Sequence, residues 1–321
     1  MTTRREYIVF GCGVAIPTSL AGCSGTDDET ADPNGDDGTG DDGSDNGNGN
    51  DLAEDIGDLG DEIDFDSGPK GEFGAYATAT DERPVIIDGQ KPSRLYETDG
   101  VNTDGQSAFY GTELSDIDFY ASVRAGPLQS PLLNYELVFG PFEFETLQSE
   151  LDGSENYLEV SESEEYRGFQ TLEAITEDES DYFGLRDGEL TTAGGRAQFE
   201  SAIDMIEGDT ALLQDEDDLF DSLLEQTGDP DLFTLYLEPE PDQMILDPTG
   251  DAIAGSAGIH LQPEESVYNV IVVYETESEA TENEVAVAET LLGTVGGLNA
   301  VESGTDGRHV IVQASVSNSD L

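Results

Sequence analysis

Two alternating strands, a helix and two more strands closing as a hairpin are written twice in this chain, at residues 117–193 and 254–316, the first copy with one strand extra. No other feature constrains the fold as strongly. In the first copy Ile117, Phe119, Ala121 and Val123 alternate with polar residues, and Leu133, Tyr135, Leu137 and Phe139 repeat the alternation. A period of two is that of a half-buried strand. Gly140-Pro141 stops the second strand, and residues 144–151 follow as a short helix with Leu147 and Leu151 on one face. Residues 168–174 read as a strand, and residues 182–185 and 189–193 flank Arg186-Asp187-Gly188, a hairpin signal. In the second copy residues 254–261 and 267–274 are strands. Residues 279–292 form a helix with Val285, Ala288, Leu291 and Leu292 as its buried stripe. Residues 300–302 and 309–316 close as a hairpin over Thr305-Asp306-Gly307.

Helices at 197–206 and 218–225 and a strand at 232–237 join the two copies, and Val85-Ile86-Ile87 reads as a further short strand. The copies share pattern and not residue identity. Because hairpins dominate and the strands alternate, the expected fold is α+β, with mainly antiparallel sheets covered on one face by helices. The domain is expected over residues 71–321, with halves near 117–210 and 230–321.

The N-terminal quarter is of a different kind. Residues 1–6 are short and basic through Arg4 and Arg5, and residues 7–20 are an apolar run of 14 residues. That is too short to cross a bilayer core, which takes about 20 helical residues, and the layout is that of a secretory signal. Residues 3–9, TRREYIV, resemble the twin-arginine export motif, and Leu20-Ala21-Gly22-Cys23 resembles a lipobox. In both motifs and their order this segment resembles lipoproteins exported by the twin-arginine pathway, of haloarchaeal type. The resemblance implies a signal peptide over 1–22, with Arg4 and Arg5 read by the export machinery. It implies lipid attachment at Cys23, which becomes the first residue of the mature chain on the outer face of the cell membrane. A single lipid chain holds a protein only marginally, so two are expected. Cys12 leaves with the signal, so the mature chain carries no disulfide.

Residues 23–70 hold 17 acids and, apart from Lys70 at their end, no base. Asp, Gly, Asn, Ser and Thr dominate them. Such a stretch buries too little apolar surface to offset chain entropy and reads as a disordered spacer. Its Asp and Asn residues do not fall in the register of a calcium loop, because Asp37 stands where that loop needs glycine. Leu52, Ile56, Leu59, Ile63 and Phe65 approach helical spacing within it.

The formal net charge is −62, and residues 70–321 alone carry 55 acidic against nine basic residues. Self-repulsion on that scale opposes a compact state in dilute buffer. Molar salt, with a Debye length of about 3 Å, screens most of it. A carboxylate-rich chain with only two lysines, Lys70 and Lys91, looks like one from an extreme halophile. The same charge excludes nucleic acid as a partner.

Residues that carry chemistry elsewhere are scarce. His260 and His309 are the two histidines, and without a free cysteine they read as structural residues; no metal and no cofactor is expected. Gly255-Ser256-Ala257-Gly258 lacks the nucleophile-elbow spacing, and Gly293–Gly297 follows a helix. Gly194-Gly195-Arg196 precedes one and has the polarity of an anion site. Carboxylates such as Glu162, Glu164 and Glu165 are too frequent for spacing to carry information. Arg124, Arg167, Arg186, Arg196 and Arg308 read first as partners of carboxylates and second as an anion clamp.

The expected function is that of a non-enzymatic, lipid-anchored surface protein with a protein or small-molecule ligand, serving binding, envelope organisation or assembly. The alternatives are a secreted hydrolase built on dispersed carboxylates and the solute-binding component of a transporter.

Overall fold

The computed structural model describes residues 72–101, 103, 108–127, 131–177, 179–239, 247 and 249–321. The signal, lipobox and spacer read from residues 1–70 lie outside the described residues. In chain order come β1 (Val85–Gln90), α1 (Pro92–Glu97), the short pair β2 (Ala108–Phe109) and β3 (Thr112–Glu113), β4 (Phe119–Ala125) and β5 (Leu133–Phe139). Next are α2 (Phe144–Gly153), β6 (Glu159–Glu162), β7 (Gln170–Ile175), β8 (Ser180–Arg186), β9 (Glu189–Ala193), α3 (Arg196–Ile206), α4 (Leu213–Glu216) and α5 (Asp218–Thr227). The last group is β10 (Leu232–Leu237), β11 (Ala254–His260), β12 (Glu265–Val273), α6 (Glu277–Thr294), β13 (Leu298–Asp306) and β14 (His309–Ser317).

Twelve of these strands form one antiparallel sheet in the order β13-β14-β12-β11-β10-β1-β4-β5-β9-β8-β7-β6. The protein is α+β, as the pattern of alternation and hairpins requires. The twice-written pattern is visible in the sheet order. From the centre outward one half runs β10-β11-β12-β14-β13 and the other β1-β4-β5-β9-β8, each with a helix inserted after its third strand. The first half adds β7 and β6 at its edge. The halves meet where β1 pairs β10, from Val85 opposite Leu237 to Gln90 opposite Leu232.

Helices cover both faces of the sheet, whereas the sequence led us to expect them on one. The central strands explain the difference. Leu232-Phe233-Thr234-Leu235-Tyr236-Leu237 and Val267 to Val273 are near-continuous apolar runs, which is how strands buried on both faces read. On one face α3, α4 and α5 lie over a single core that crosses the seam. It runs from Tyr135, Leu137 and Phe199 through Val85 and Ile87 to Phe233, Leu235, Ile271 and Val273. On the other face the core is split. Beneath α6, Val287 and Leu291 pack on Val270, Val272, Val310 and Val312. Beneath α2, Leu147 and Leu151 pack with Leu172, Ala174 and Phe183.

Local chemistry sets the ends of these elements. The Asp217 side chain accepts from the Leu219 and Phe220 amides at 3.0 Å to start α5. Thr276 and Glu279 form a reciprocal capping box at α6. The β8–β9 turn places Asp187 and Gly188 at positive φ, 48° and 85°, as a two-residue hairpin needs.

Two expectations are corrected. The stripe that α6 buries is Ala280, Val287 and Leu291, while Val285 and Leu292 are exposed. Glu284 shares the inward side, where it accepts from Ser303 Oγ at 2.9 Å. A hydrogen-bonded acid therefore occupies a place that hydrophobicity alone assigned to valine. The final hairpin turns over Gly307-Arg308, because β13 carries pairing out to Asp306 opposite His309.

Gly184 fixes how closely α3 approaches β8. A Cβ placed there would strike the buried ring of Phe199 and come within 3.3 Å of Phe169 Cβ. Gly184→Ala is expected to cost about 1–3 kcal/mol through overpacking, read as a lowered denaturant midpoint in molar salt. An unchanged midpoint would mean that α3 is not seated as described.

Candidate functional site

Between the two split cores, the face bearing α6 and α2 carries a polar strip across the middle of the sheet. Register places Thr192, Glu136, Ser122, Asp88, Thr234 and Ala257 in one straight row on β9, β5, β4, β1, β10 and β11. Adjacent strands lie about 4.8 Å apart, so Asp88 and Glu136, two strands apart, stand roughly 10 Å from each other at the backbone. Solvent reaches this floor. The Asp88 and Arg124 side chains are 24% and 31% exposed, although they sit on two of the central strands. We refer to this strip and its walls as the trough.

Each of the two central carboxylates is held at both oxygens. Asp88 accepts from Arg124 Nη2 at 2.5 Å and from Thr234 Oγ1 at 2.8 Å. Glu136 accepts from Tyr120 OH at 3.0 Å and from Thr192 Oγ1 at 3.2 Å. Further along, Tyr157 OH donates to Asp181 at 3.3 Å. The ring of Tyr110 sits edge-on to Phe183 beside this group.

The two acids live in opposed surroundings. Burial pushes the Glu136 carboxyl above its ordinary range, outweighing the hydrogen bonds from Tyr120 and Thr192 and the charge of Arg124. Asp88 instead has a guanidinium in contact. For Arg124, burial acts downward, but the charge and hydrogen bond of Asp88 more than offset it and the net shift is upward. Burial, then the charge of Glu136, raises Tyr120. Tyr236 is raised by burial and by Asp88.

Several donors here have no acceptor among the described residues. Arg124 Nε and Tyr268 OH are buried without a hydrogen-bond partner. Among the described residues the hydroxyls of Ser122 and Tyr236 have no hydrogen-bond partner either. An unsatisfied donor is costly in a closed core and ordinary in a surface that receives a ligand.

The residues singled out from the sequence lie elsewhere. Cys23, Arg4, Arg5, Leu20, Ala21 and Gly22 are outside the described residues. Gly194, Gly195 and Arg196 do precede and start α3, but the guanidinium is taken up by acids. Its Nε donates to Glu200 at 2.8 Å and its Nη2 lies 3.8 Å from Glu164. His260 ends β11 near the start of β10, and burial lowers its pKa against the pull of Asp231. His309 Nδ1 lies 3.0 Å from the Asp306 carbonyl at the last hairpin. Among the described residues no three His, Cys, Asp or Glu side chains come together as a metal site. Arg124 is the one arginine from the sequence reading that reaches the trough. Asp88, Glu136, Ser122 and Thr234 were not singled out, since each is merely the polar member of an alternating strand until register aligns them.

No family model and no curated protein matches the chain. Among solved structures, crystal form III of TP0453 aligns with a TM-score of 0.46 and 8% identity, covering 77% of this chain and 94% of that one. Crystal form IV of TP0453 aligns with a TM-score of 0.44 and 11% identity, covering 77% and 93%. A likeness this distant carries nothing about ligand or activity.

The raised acidity constant of Glu136 has a signed consequence. A folded-state pKa above the unfolded one means that the fold favours the protonated carboxyl. Stability is then lost as pH rises from about 4.5 through the folded value. Glu136→Gln mimics the protonated form. Its melting temperature relative to wild type is therefore expected to be higher at pH 7 than at pH 4, measured in molar salt. A difference that does not vary with pH would contradict the burial of a charged Glu136.

Proposed function

We propose that this chain is a lipid-anchored protein on the outer face of a salt-adapted cell, where its α+β domain binds a ligand without transforming it. The observation that carries the binding reading is the double hydrogen bonding of Asp88 and Glu136. A general acid–base pair needs a carboxylate oxygen directed at substrate or water. Here the protein's own hydroxyls and guanidinium orient all four oxygens, which makes the strip a set of fixed polar contacts. The hydrolase alternative keeps one feature in its favour, the opposed environments of the two acids. Its signature would be hydrolysis abolished by Glu136→Gln with binding retained.

The anchor rests on the lipobox resemblance at Cys23 and the twin-arginine pair. The salt adaptation rests on the excess of acids, together with the use made of the few bases. Among the described residues Arg83, Lys91, Arg94, Arg124, Arg167, Arg186 and Arg196 all lie in ion pairs with Asp or Glu. They tie elements together, as Arg83 does between the start of β1 and the cap of α5, and leave most surface acids uncompensated.

One experiment reads both halves of the proposal. Cys23→Ser is expected to move the protein from the membrane fraction to the medium, and the released protein to unfold when dialysed from about 3 M to about 0.1 M salt, where the Debye length grows from under 3 Å to about 10 Å. Retention on membranes would overturn the anchor. Undiminished stability at low salt would overturn the salt adaptation.

A further inference from the structure

We propose that the trough is a binding site for a neutral, polyhydroxylated ligand of the sugar class. The inference rests on the binding reading of the trough and names what it would take. Charge narrows the choice first. Asp88, Glu136 and Asp181 face the strip against the single cation Arg124, so an anionic ligand meets net negative charge at close range. Hydrogen-bonding capacity narrows it again. Among the described residues the strip's groups without a partner include donors, or hydroxyls able to donate: Arg124 Nε, Ser122 and Tyr236. A cation offers them no acceptor. What fits is an uncharged molecule that presents oxygen acceptors to these donors and hydroxyl donors to the remaining lone pairs of Asp88 and Glu136.

A sugar supplies both a donor and an acceptor in each of its hydroxyls, which suits a row where carboxylate, hydroxyl, carboxylate and hydroxyl follow one another at strand spacing. Tyrosines flank the row. Tyr236 stands two residue pairs beyond it on β10, an aromatic side chain of the kind that packs against the apolar face of a pyranose, while Tyr120, two pairs to the other side on β4, is buried in the core beneath α2. Apolar cores beneath α2 and α6 lie on either side of the strip.

The test is calorimetric titration of the full domain in molar salt with glucose, galactose, mannose and trehalose. Glucuronate serves as the anionic probe, and a neutral blocked trialanine as the peptide probe. Saturable binding of at least one neutral sugar is expected, with glucuronate weaker than glucose. Among the described residues the hydroxyls of Ser122 and Tyr236 have no hydrogen-bond partner, so Ser122→Ala and Tyr236→Phe should leave the melting temperature unchanged. Each should weaken sugar binding about three- to tenfold, the size of one neutral hydrogen bond. The inference is overturned if no neutral sugar gives a saturable heat, if glucuronate outbinds glucose, or if both variants bind the sugar as wild type does. Binding of the peptide probe alone would overturn the sugar class while sparing the binding reading. The anchor is tested separately at Cys23, so the two can fail independently.

Discussion

The pairing of β1 with β10 makes one molecule out of two half-sheets. Six residue pairs, Val85 with Leu237 through Gln90 with Leu232, join the first strands of the two halves. A strand in the middle of a wide sheet must bury both faces, and this seam does so unequally. Val85, Ile87, Phe233, Leu235 and Leu237 point into one core that α3 to α5 hold across the join. On the other face the same two strands contribute Asp88 and Thr234, and the apolar cores under α2 and α6 are separate, with Tyr96 of α1 packed against both. The trough is the gap between them. Its position at the junction follows from the doubled architecture, since each half brings its own helix and its own core.

Polar groups at a sheet centre would be expensive if left unpaired. The protein meets that cost by cross-strand ties: Arg124 to Asp88 over neighbouring strands, Thr234 to Asp88 over the seam, Tyr120 and Thr192 to Glu136. These ties also hold β1 between its neighbours, so the site and the seam are stabilised by the same side chains. On the opposite face Tyr135 plays a comparable part. Its hydroxyl donates to the Tyr76 carbonyl at 2.7 Å and receives the Thr78 amide at 3.1 Å, fastening the segment before β1 onto the core. Burial pushes that phenol up to about 12.

Elements with strong periodicity were legible in the sequence. The strand at 232–237 and the strand at 133–139 match the structure residue for residue, and Asp187-Gly188 announced the β8–β9 turn. The helix α6 was legible in place but not in orientation. Its buried and exposed sides both carry apolar residues at helical spacing, and only the contact of Glu284 with Ser303 shows which side turns inward. Strand β6 escaped notice because Glu159, Val160, Ser161 and Glu162 are an edge with little to bury. The site was the least legible part. Asp88 and Thr234 are 146 residues apart, and their meeting depends on the register of the seam, which no local pattern encodes. Arginine scarcity was the one signal that pointed there, and it pointed equally to Arg167, Arg186 and Arg196, whose ion pairs lie elsewhere.

Amide hydrogen exchange in molar salt reads the seam directly. If β1 and β10 are the join on which both faces depend, the amides of residues 85–90 and 232–237 that pair across it will exchange as slowly as those of β4 and β11, and only through global opening. Exchange at the seam well ahead of β4 and β11, with each half still protected, would show two independent half-sheets and contradict the account.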